Sequence, residues 1–321
     1  MNQDFSRTIA INPSAAQLVG ECIKQKPRIL ILGAGGWFGK TTLSLLDVDE
    51  GQLMLIGQTR REIMVNGRAF LIEQWESEIV SEFEPEIVLD FAFLTRDHLP
   101  LLGSAEFSRV NTMLANRVTA LVSLPSVAKI LTVSSGAAVP GQPLGNPTQL
   151  GLYGSLKFQM ERDLVGAASS NNKKLVIARA WSVSGGFVGA SSSLAFSSFV
   201  RGALVNKNVD VNAKSLVYRR YCAAEDFISV SLWGLANGVF DEIDSGGNLV
   251  EVGELAHAIA ARVGGSTVTF RTEKRELQEP NSYHSDNKGW SRYTSESGLE
   301  PLTIEEQIDN VVAALSDQIS L

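Results

Sequence analysis

Residues 28–39, which read RILILGAGGWFG, decide the fold that the sequence predicts. After Arg28, the run up to residue 32 is short, apolar and partly β-branched, as a buried parallel strand should be. Residues 40–46 then read as a helix whose leucines can pack against that strand. The glycine-rich turn therefore joins a strand to a helix, which predicts the first unit of an α/β sheet.

The glycines of this turn have a spacing that suits a dinucleotide. Gly33, Gly36 and Gly39 are three residues apart, so that Gly33 allows a tight turn and Gly39 lets the helix pack closely. The free N–H groups at the start of the helix would face the phosphates. A glycine turn without a ligand is the alternative. We expect a nucleotide cofactor, bound by Gly33, Gly35, Gly36, Trp37, Phe38 and Gly39.

A second motif lies downstream, where Tyr153 and Lys157 fall four residues apart in a predicted helix over 152–168. At this spacing the two side chains share one face of the helix. An ammonium beside a phenol favours the phenolate and lowers the tyrosine pKa from its usual value near about 10. Such a tyrosine can exchange a proton with an alcohol or a carbonyl while the cofactor takes or returns a hydride. A solvated helix face is the alternative for an isolated pair.

The composition excludes several function classes. Of the 321 residues, 44% are hydrophobic and 20% are charged, which is typical of a globular protein with a sizeable core. The formal net charge of -7 argues against nucleic acid as a partner. No apolar run reaches membrane-spanning length and the first residues lack signal-peptide features, so we expect no membrane partner and a cytoplasmic location. Two cysteines and three scattered histidines predict neither a disulfide framework nor a metal site.

Strands and helices alternate along the chain, which favours a doubly wound parallel α/β sheet. We predict strands at 28–32, 53–56, 69–72, 86–93, 130–133 and 175–178, with long helices over 104–124 and 152–168. The connection between the second and third strands is too short for a crossover helix, so we expect an irregular corner there. The predicted organisation is an N-terminal extension (1–26), a nucleotide-binding domain (27–180) and a region over 181–321 that re-enters the first domain around 215–240.

These motifs, in this order, resemble those of the extended short-chain dehydrogenases/reductases, in the sugar-nucleotide-modifying group of the NAD-dependent epimerase/dehydratase family. Further motifs carry the resemblance, which runs from residue 28 to the C-terminus: Asn111, Ser134-Ser135, Arg179 through Gly185, Arg219 and Gly298 through Leu302. The resemblance implies a Rossmann-like domain with a smaller C-terminal substrate-binding lobe, a nucleotide-sugar substrate and a homodimer. It implies these roles: catalysis by Tyr153, Lys157 and Ser135; cofactor binding by Ala92, Asn111 and Lys157; substrate binding by Ser134, Ser182 and Arg219.

Two departures from the family pattern narrow the predicted reaction. The position of the usual catalytic hydroxyl falls on Gly136, so the hydroxyl has to come from Ser135 or from Ser134. The acidic pair of the 4,6-dehydratases is replaced by Ala137 and Ala138, which disfavours expulsion of water. We expect a 4-keto reductase or a 4-epimerase. The alternative is a non-catalytic or weakly active nucleotide-binding regulatory protein of the same fold.

The end of the second strand bears on the choice of cofactor. An acidic residue there would bind the ribose hydroxyls of NAD. This chain instead has Thr59, Arg60 and Arg61, with no carboxylate before Glu62. Arginine suits a 2′-phosphate through its charge and its paired donors. The sequence therefore predicts NADP as the preferred cofactor and NAD as the alternative, with Thr59, Arg60 and Arg61 as cofactor-binding residues.

Overall fold

The computed structural model describes residues 9–140, 147–189, 192–239 and 241–319. The strands, in chain order, are β1 (Ile29–Leu32), β2 (Leu53–Gly57), β3 (Arg61–Val65), β4 (Arg68–Gln74), β5 (Ile87–Asp90), β6 (Lys129–Ser135), β7 (Lys174–Ala180), β8 (Val183–Ser184), β9 (Asn208–Val211), β10 (Val217–Ala223), β11 (Glu242–Asp244), β12 (Asn248–Glu251), β13 (Thr267–Phe270) and β14 (Asn281–Ser282). The helices are α1 (Pro13–Cys22), α2 (Trp37–Leu45), α3 (Ser77–Phe83), α4 (Leu99–Leu121), α5 (Pro147–Ser170), α6 (Ala195–Arg201), α7 (Ala224–Asn237), α8 (Val252–Val263), α9 (Lys288–Ser297) and α10 (Ile304–Ile319).

Eight strands form one large sheet in the order β11-β7-β6-β5-β1-β2-β4-β3. The neighbouring strands are parallel, except for the antiparallel pair of β3 and β4. From β1 the chain adds strands outward in both directions, which is the order of a doubly wound α/β sheet. The fold class predicted from the sequence is confirmed.

The central strand β1 is buried on both faces. Ile29 and Ile31 pack in a cluster with residues of α1, α2 and α7. Leu30 and Leu32 pack in a second cluster, with residues of α4 and α5. A parallel strand between two helix layers needs an apolar side chain at every position, because both of its faces lie in the core. The unbroken apolar run at 29–32 reflects this position.

The irregular corner after β2 is a β-hairpin that the sequence analysis did not include. Strand β3 pairs with β4 from Arg61 opposite Ile72 to Val65 opposite Arg68. Asn66 and Gly67 connect the two strands, and both have positive φ, at 48° and 76°. A two-residue turn of this sequence and geometry matches the twist of a hairpin. The hairpin therefore occupies the place of a crossover helix, and β4 still pairs with β2 in parallel.

Helix α4 begins at Leu99, before the predicted start at residue 104, and it contains a break. Gly103 has a φ of 75°, so one short turn precedes the continuous helix. The helix with Tyr153 is also longer than predicted, since α5 extends from Pro147 to Ser170. Within the ranges given above, no helix is long and apolar enough to cross a membrane.

A smaller set of elements forms a second core. Strand β10 pairs with β12, β14 and β8, while β9 pairs with β13. Helices α6, α8 and α10 cover these strands and share one apolar cluster with them. Trp37, at the start of α2, packs against both this cluster and the core of the large sheet. The glycine turn therefore lies where the two cores meet.

Candidate active site

Several predicted site residues meet at one edge of the large sheet. Gly33 follows β1, Asp90 ends β5, and Ser135 ends β6. These three strands are adjacent and parallel, so their carboxyl ends lie side by side. Ligands of doubly wound sheets bind in the crevice beyond these ends.

The glycine turn presents the start of α2 to this crevice. Gly33 has a φ of 75° and donates its N–H to the Ile56 carbonyl at 2.9 Å. Among the described residues, no side chain caps the N-terminus of α2, which leaves its first N–H groups available to an anion. Next to them, the indole N–H of Trp37 is buried without a hydrogen-bond partner among the described residues. These donors fit the pyrophosphate of a dinucleotide, and Phe38 stacks on Trp37 with ring centroids 5.4 Å apart.

Of the two arginines after β2, Arg61 reaches the glycine turn. A β-carbon at Gly35 would collide with the Arg61 guanidinium, so this side chain lies directly over the turn. Its Nη1 donates to the Thr59 hydroxyl at 3.2 Å. Arg60 instead forms an exposed ion pair with Glu73, with Nε 2.8 Å from Oε2. The geometry distinguishes the two arginines, although their contact with a cofactor stays a prediction.

The loop after β5 is held by two polar side chains. Ala92 donates its N–H to Asp90 Oδ1 at 3.1 Å. Asn111, which is 1% exposed, accepts from the Leu94 N–H at 2.7 Å through its Oδ1. Both predicted cofactor residues therefore shape this loop, and a direct cofactor contact stays a prediction for each.

Ser135 is the serine that meets the tyrosine. Its side chain lies beside the Tyr153 phenol and acts to lower the pKa of that phenol. Because side chains alternate along β6, Ser134 points the other way. The Ser134 hydroxyl is buried and has no hydrogen-bond partner within the described part of the chain. Ser135 is thus the serine that lies beside Tyr153, and its catalytic role stays a prediction.

The pKa of Tyr153 differs from the expectation. This pKa is raised to about 12, chiefly by burial and also by the nearby Tyr283, while Ser135 acts in the opposite direction. The expected lowering by Lys157 is wrong for this structure. Lys157 Nζ donates to the Val133 carbonyl at 2.7 Å and lies 3.8 Å from the centroid of the Phe93 ring. The ammonium is directed toward β6 instead of the phenol, so it does not offset the cost of burying the phenolate.

Asp90 is a buried carboxyl that the sequence analysis missed. It accepts from the Thr132 hydroxyl at 2.7 Å and is 2% exposed. Burial raises the pKa of Asp90, whereas the Lys157 charge acts in the opposite direction. Burial in turn lowers the pKa of Lys157 to about 8, against the attraction of Asp90 and Glu161. The sequence did contain a signal for this residue. An acid at the end of a predicted buried strand needs hydrogen-bond or charged partners, which marks it as a candidate site residue.

An aromatic pair explains why residue 136 is glycine. A β-carbon at Gly136 would collide with the ring of Trp181. The Trp181 indole donates to Asp244 Oδ1 at 2.6 Å and packs on Tyr283, with ring centroids 4.9 Å apart. Tyr283 is 9% exposed, and Ser135 acts to lower the pKa of its phenol as well. Trp181 therefore covers the position of the usual hydroxyl, and two phenols meet at one serine.

The remaining predicted substrate residues lie on the smaller side of the crevice. Arg219, on β10, is 5.4 Å from the centroid of the Tyr283 ring. Its Nη1 donates to the Tyr218 carbonyl at 2.8 Å. Ser182 accepts from the Cys222 N–H at 3.4 Å through its main-chain carbonyl. Arg219 thus lies near the pair of phenols, whereas substrate contacts of Ser182 and Arg219 stay predictions.

The fold is similar to that of several enzymes of known structure. A UDP-N-acetylglucosamine 4-epimerase from Methanobrevibacter ruminantium, solved with UDP-N-acetylmuramic acid, has a TM-score of 0.73 at 14% identity, over 91% of this chain and 99% of that one. The UDP-glucose 4-epimerase of Thermotoga maritima, solved with UDP-glucose, has a TM-score of 0.69 at 16% identity, over 91% and 99%. An L-threonine dehydrogenase from Clostridium difficile has a TM-score of 0.71 at 15% identity, over 91% and 98%.

A sequence comparison agrees with these structures. The model of the NAD dependent epimerase/dehydratase family matches residues 29–246, which is more than half of the chain. Among curated proteins, no sequence matches significantly. The matched range includes the glycine turn, Ser135 and Tyr153.

Proposed function

The chain belongs to the NAD-dependent epimerase/dehydratase family, and we propose that it oxidises or reduces a nucleotide-linked sugar at C4, as a 4-keto reductase or a 4-epimerase. The observation that carries this proposal is the position of the Ser135 side chain beside the Tyr153 phenol, at the carboxyl end of β6. This arrangement supports proton transfer between the Tyr153 phenol and a substrate oxygen that lies next to both side chains. The UDP-sugar ligands of two structural neighbours support the substrate class.

Each residue of the site has a part in this chemistry. Bound NAD(P) would supply the hydride donor or acceptor. Tyr153 exchanges the proton with the substrate oxygen, and Ser135 holds that oxygen through its hydroxyl. Because the pKa of Tyr153 is raised to about 12, the phenol carries its proton at neutral pH, which suits donation to a carbonyl. Lys157 donates to the carbonyl of Val133, on the same strand as Ser135, and would bind the nicotinamide ribose.

Reduction and epimerisation use the same residues and differ in the fate of the cofactor. Purified protein is incubated with pooled 4-keto sugar nucleotides and reduced nicotinamide, and separately with nucleotide hexoses and the oxidised form. Consumption of reduced nicotinamide identifies a reductase. Inversion at C4, detected by NMR without net change of cofactor, identifies an epimerase. Dehydration is disfavoured because Ala137 and Ala138 offer no acid. Absence of all turnover with both substrate pools rejects the proposal.

We further propose that NADP is preferred over NAD, and that Arg61 is the residue responsible. Its guanidinium lies over the turn, whereas Arg60 is paired with Glu73. Replacement Arg61→Ala is expected to weaken NADP binding by about tenfold to a hundredfold, because a charge-assisted hydrogen bond is lost. Arg60→Ala, the matched control, should change the affinity for NADP little. Titration of each protein with both cofactors measures this, and tighter binding of NAD than NADP by the unmutated protein refutes the preference.

The two serines of β6 should differ in their effect on turnover. Ser135→Ala removes the hydroxyl that contacts Tyr153, and we expect a decrease of the turnover number by about 10²-fold. Ser134→Ala removes a buried hydroxyl without a partner in the described structure, so it should leave turnover nearly unchanged. Steady-state kinetics of both variants measure the difference. Equal, mild effects of the two replacements would show that neither hydroxyl has this role.

A second candidate function is supported by one observation. The position of the family's usual hydroxyl is Gly136, and the ring of Trp181 leaves no room for a side chain there. A non-catalytic or weakly active nucleotide-binding regulator would bind cofactor and nucleotide sugar without turnover in the assays above. A homodimer and a cytoplasmic location are retained as predictions, which light scattering and cell fractionation test.

A further inference from the structure

A buried carboxyl and a buried lysine lie on the same face of the large sheet. Val88 of β5 and Ile130 of β6 belong to the apolar cluster that includes residues of α4 and α5. Side chains two residues apart on a strand share a face, so Asp90 and Thr132 point toward the same helix layer. Lys157 comes from α5 and is 4% exposed. Asp90 and Lys157 therefore occupy one buried layer.

On β6, the contacts of these two groups are one residue apart. Asp90 Oδ2 accepts from the hydroxyl of Thr132, its register partner, at 2.7 Å. Lys157 Nζ donates to the carbonyl of the next residue, Val133, at 2.7 Å. Neighbouring residues of one strand thus hold the ammonium beside the carboxyl.

The same relation recurs in the loop after β5. Asp90 Oδ1 accepts from the Ala92 N–H at 3.1 Å, and the ring of the next residue, Phe93, has its centroid 3.8 Å from Lys157 Nζ. Both carboxyl oxygens accept hydrogen bonds, as those of an ionised carboxylate do. Against the effect of burial, Lys157 lowers the pKa of Asp90, and Asp90 raises the pKa of Lys157. The contacts and the electrostatics agree on one pair.

The ammonium of Lys157 needs an opposite charge. Its direct contacts within the described ranges are the Val133 carbonyl, the Phe93 ring and the Met160 sulfur at 3.9 Å, all of which are neutral. Neutral acceptors offset only part of the hydration that an ammonium loses on burial. A carboxylate in the same layer supplies the remainder.

The other titratable or charged groups around the lysine are neutral, paired or exposed. On α5, the pKa of Tyr153 is raised to about 12, chiefly by burial, so its phenol is neutral. Glu161, one turn after the lysine, binds Arg179 of β7 at 2.7 Å. The polar residue that α4 buries is Asn111, an uncharged amide. Arg96, in a 3₁₀ turn before α4, is exposed. In the described part of the chain, the carboxylate at the end of β5 is left to balance the ammonium.

We propose that Asp90 is a positioning residue that supplies the counter-charge of Lys157, so that the lysine remains an ammonium where it would bind the nicotinamide ribose. Asp90 is 2% exposed and both of its oxygens accept from the protein, so it acts through the lysine. An ammonium has three donors, and the Val133 carbonyl takes one of them, which leaves two for ribose hydroxyls. The inference rests on the proposed cofactor role of Lys157 and adds the residue that sets its charge.

Nuclear magnetic resonance on protein with ¹³C-labelled lysine tests the counter-charge directly. The Cε resonance of Lys157, assigned by its loss in Lys157→Met, follows the protonation of this amine. In the unmutated protein we expect the pKa of Lys157, which burial lowers, to be about 8. In Asp90→Asn, which keeps the shape and loses the charge, the amine should titrate at least about one pH unit lower, because an opposite charge is removed.

Two further variants complete this measurement. Asp163→Asn removes an exposed carboxylate from the solvent side of α5, where it accepts from Gln159, and as the matched control it should leave the titration of Lys157 unchanged. Thr132→Val removes one hydrogen bond of the buried carboxylate. It should move the titration in the same direction as Asp90→Asn by a smaller amount, and it serves as the test if Asp90→Asn does not fold.

Cofactor titrations at a series of pH values give the functional readout. The affinity should decrease as the pH rises through the titration of Lys157, because a neutral amine forms a weaker hydrogen bond than an ammonium. In Asp90→Asn this decrease should begin at a correspondingly lower pH. The factor should be the same for NADP and NAD, since both contain the nicotinamide ribose, whereas Arg61→Ala should change mainly the affinity for NADP.

Two results overturn the inference. The first is a titration of Lys157 that Asp90→Asn leaves in place or moves to higher pH. The second is an equally large change in Asp163→Asn, which would assign the effect to the overall charge of the protein. A lower titration in Asp90→Asn without any change in cofactor affinity keeps the counter-charge and rejects the proposed contact of Lys157 with the ribose. Neither measurement requires turnover, so failure of the proposed reaction is seen separately.

Discussion

Replacement of Tyr153 by phenylalanine is expected to lower the turnover number by about 10²–10⁴-fold, the usual loss for a positioned proton-transfer group. The substitution removes only the phenolic oxygen and keeps the ring, which packs edge-on against Phe93 with centroids 5.8 Å apart. The glycine turn and Arg61 are untouched, so cofactor affinity should stay nearly the same. Steady-state kinetics and a cofactor titration on the same preparation measure both quantities.

The control for this replacement is Tyr293→Phe on α9, a tyrosine that makes none of the contacts described for the site. This variant should keep full activity. Loss of a proton donor typically lowers the rate by about 10²–10⁴-fold. If Tyr153→Phe retains more than about half of the activity, Tyr153 is therefore not the proton-transfer group. The second phenol at Ser135, that of Tyr283, would then be the group to replace next.

Replacement of Arg179 by methionine is expected to lower the free energy of unfolding substantially. Arg179 binds Glu161 of α5, with Nη2 2.7 Å from Oε2, and Glu161 is 4% exposed. Without the guanidinium, a buried carboxylate loses its partner, which typically costs about 3–5 kcal/mol in the free energy of unfolding. Because this pair attaches the helix with Tyr153 to β7, turnover should also decrease at temperatures near unfolding. Chemical denaturation measures the change.

Two further variants separate loss of the pair from loss of the arginine. The double variant Arg179→Met with Glu161→Gln removes the buried charge as well, so it should recover much of the stability. Arg292→Met removes the arginine of an exposed pair with Glu296 and should have little effect. A decrease for Arg179→Met no larger than that for Arg292→Met would contradict the role of the buried pair.

Local pattern was sufficient for the elements that form the scaffold of the site. The apolar run at 29–32 and the glycines after it predicted β1, the turn and α2, because strand burial and turn geometry depend on neighbouring residues. The four-residue spacing of Tyr153 and Lys157 in α5 was likewise a local property of the helix. Strand β3 was missed, although the sequence Asn66-Gly67 is a hairpin signal that could have indicated it.

The sequence by itself determined the doubly wound fold, the family and the edge of the sheet where Ser135 and Tyr153 lie. Only the tertiary structure decided which groups surround them. These surroundings come from contacts between residues that are distant in the chain: Trp181 over Gly136, Arg61 over Gly35 and Tyr283 on Ser135. Burial by such contacts raises the pKa of Tyr153, where the helix spacing alone predicted a decrease. The reason is physical: helix spacing is set by hydrogen bonds between near neighbours, whereas the polarity around a side chain depends on every segment that packs against it.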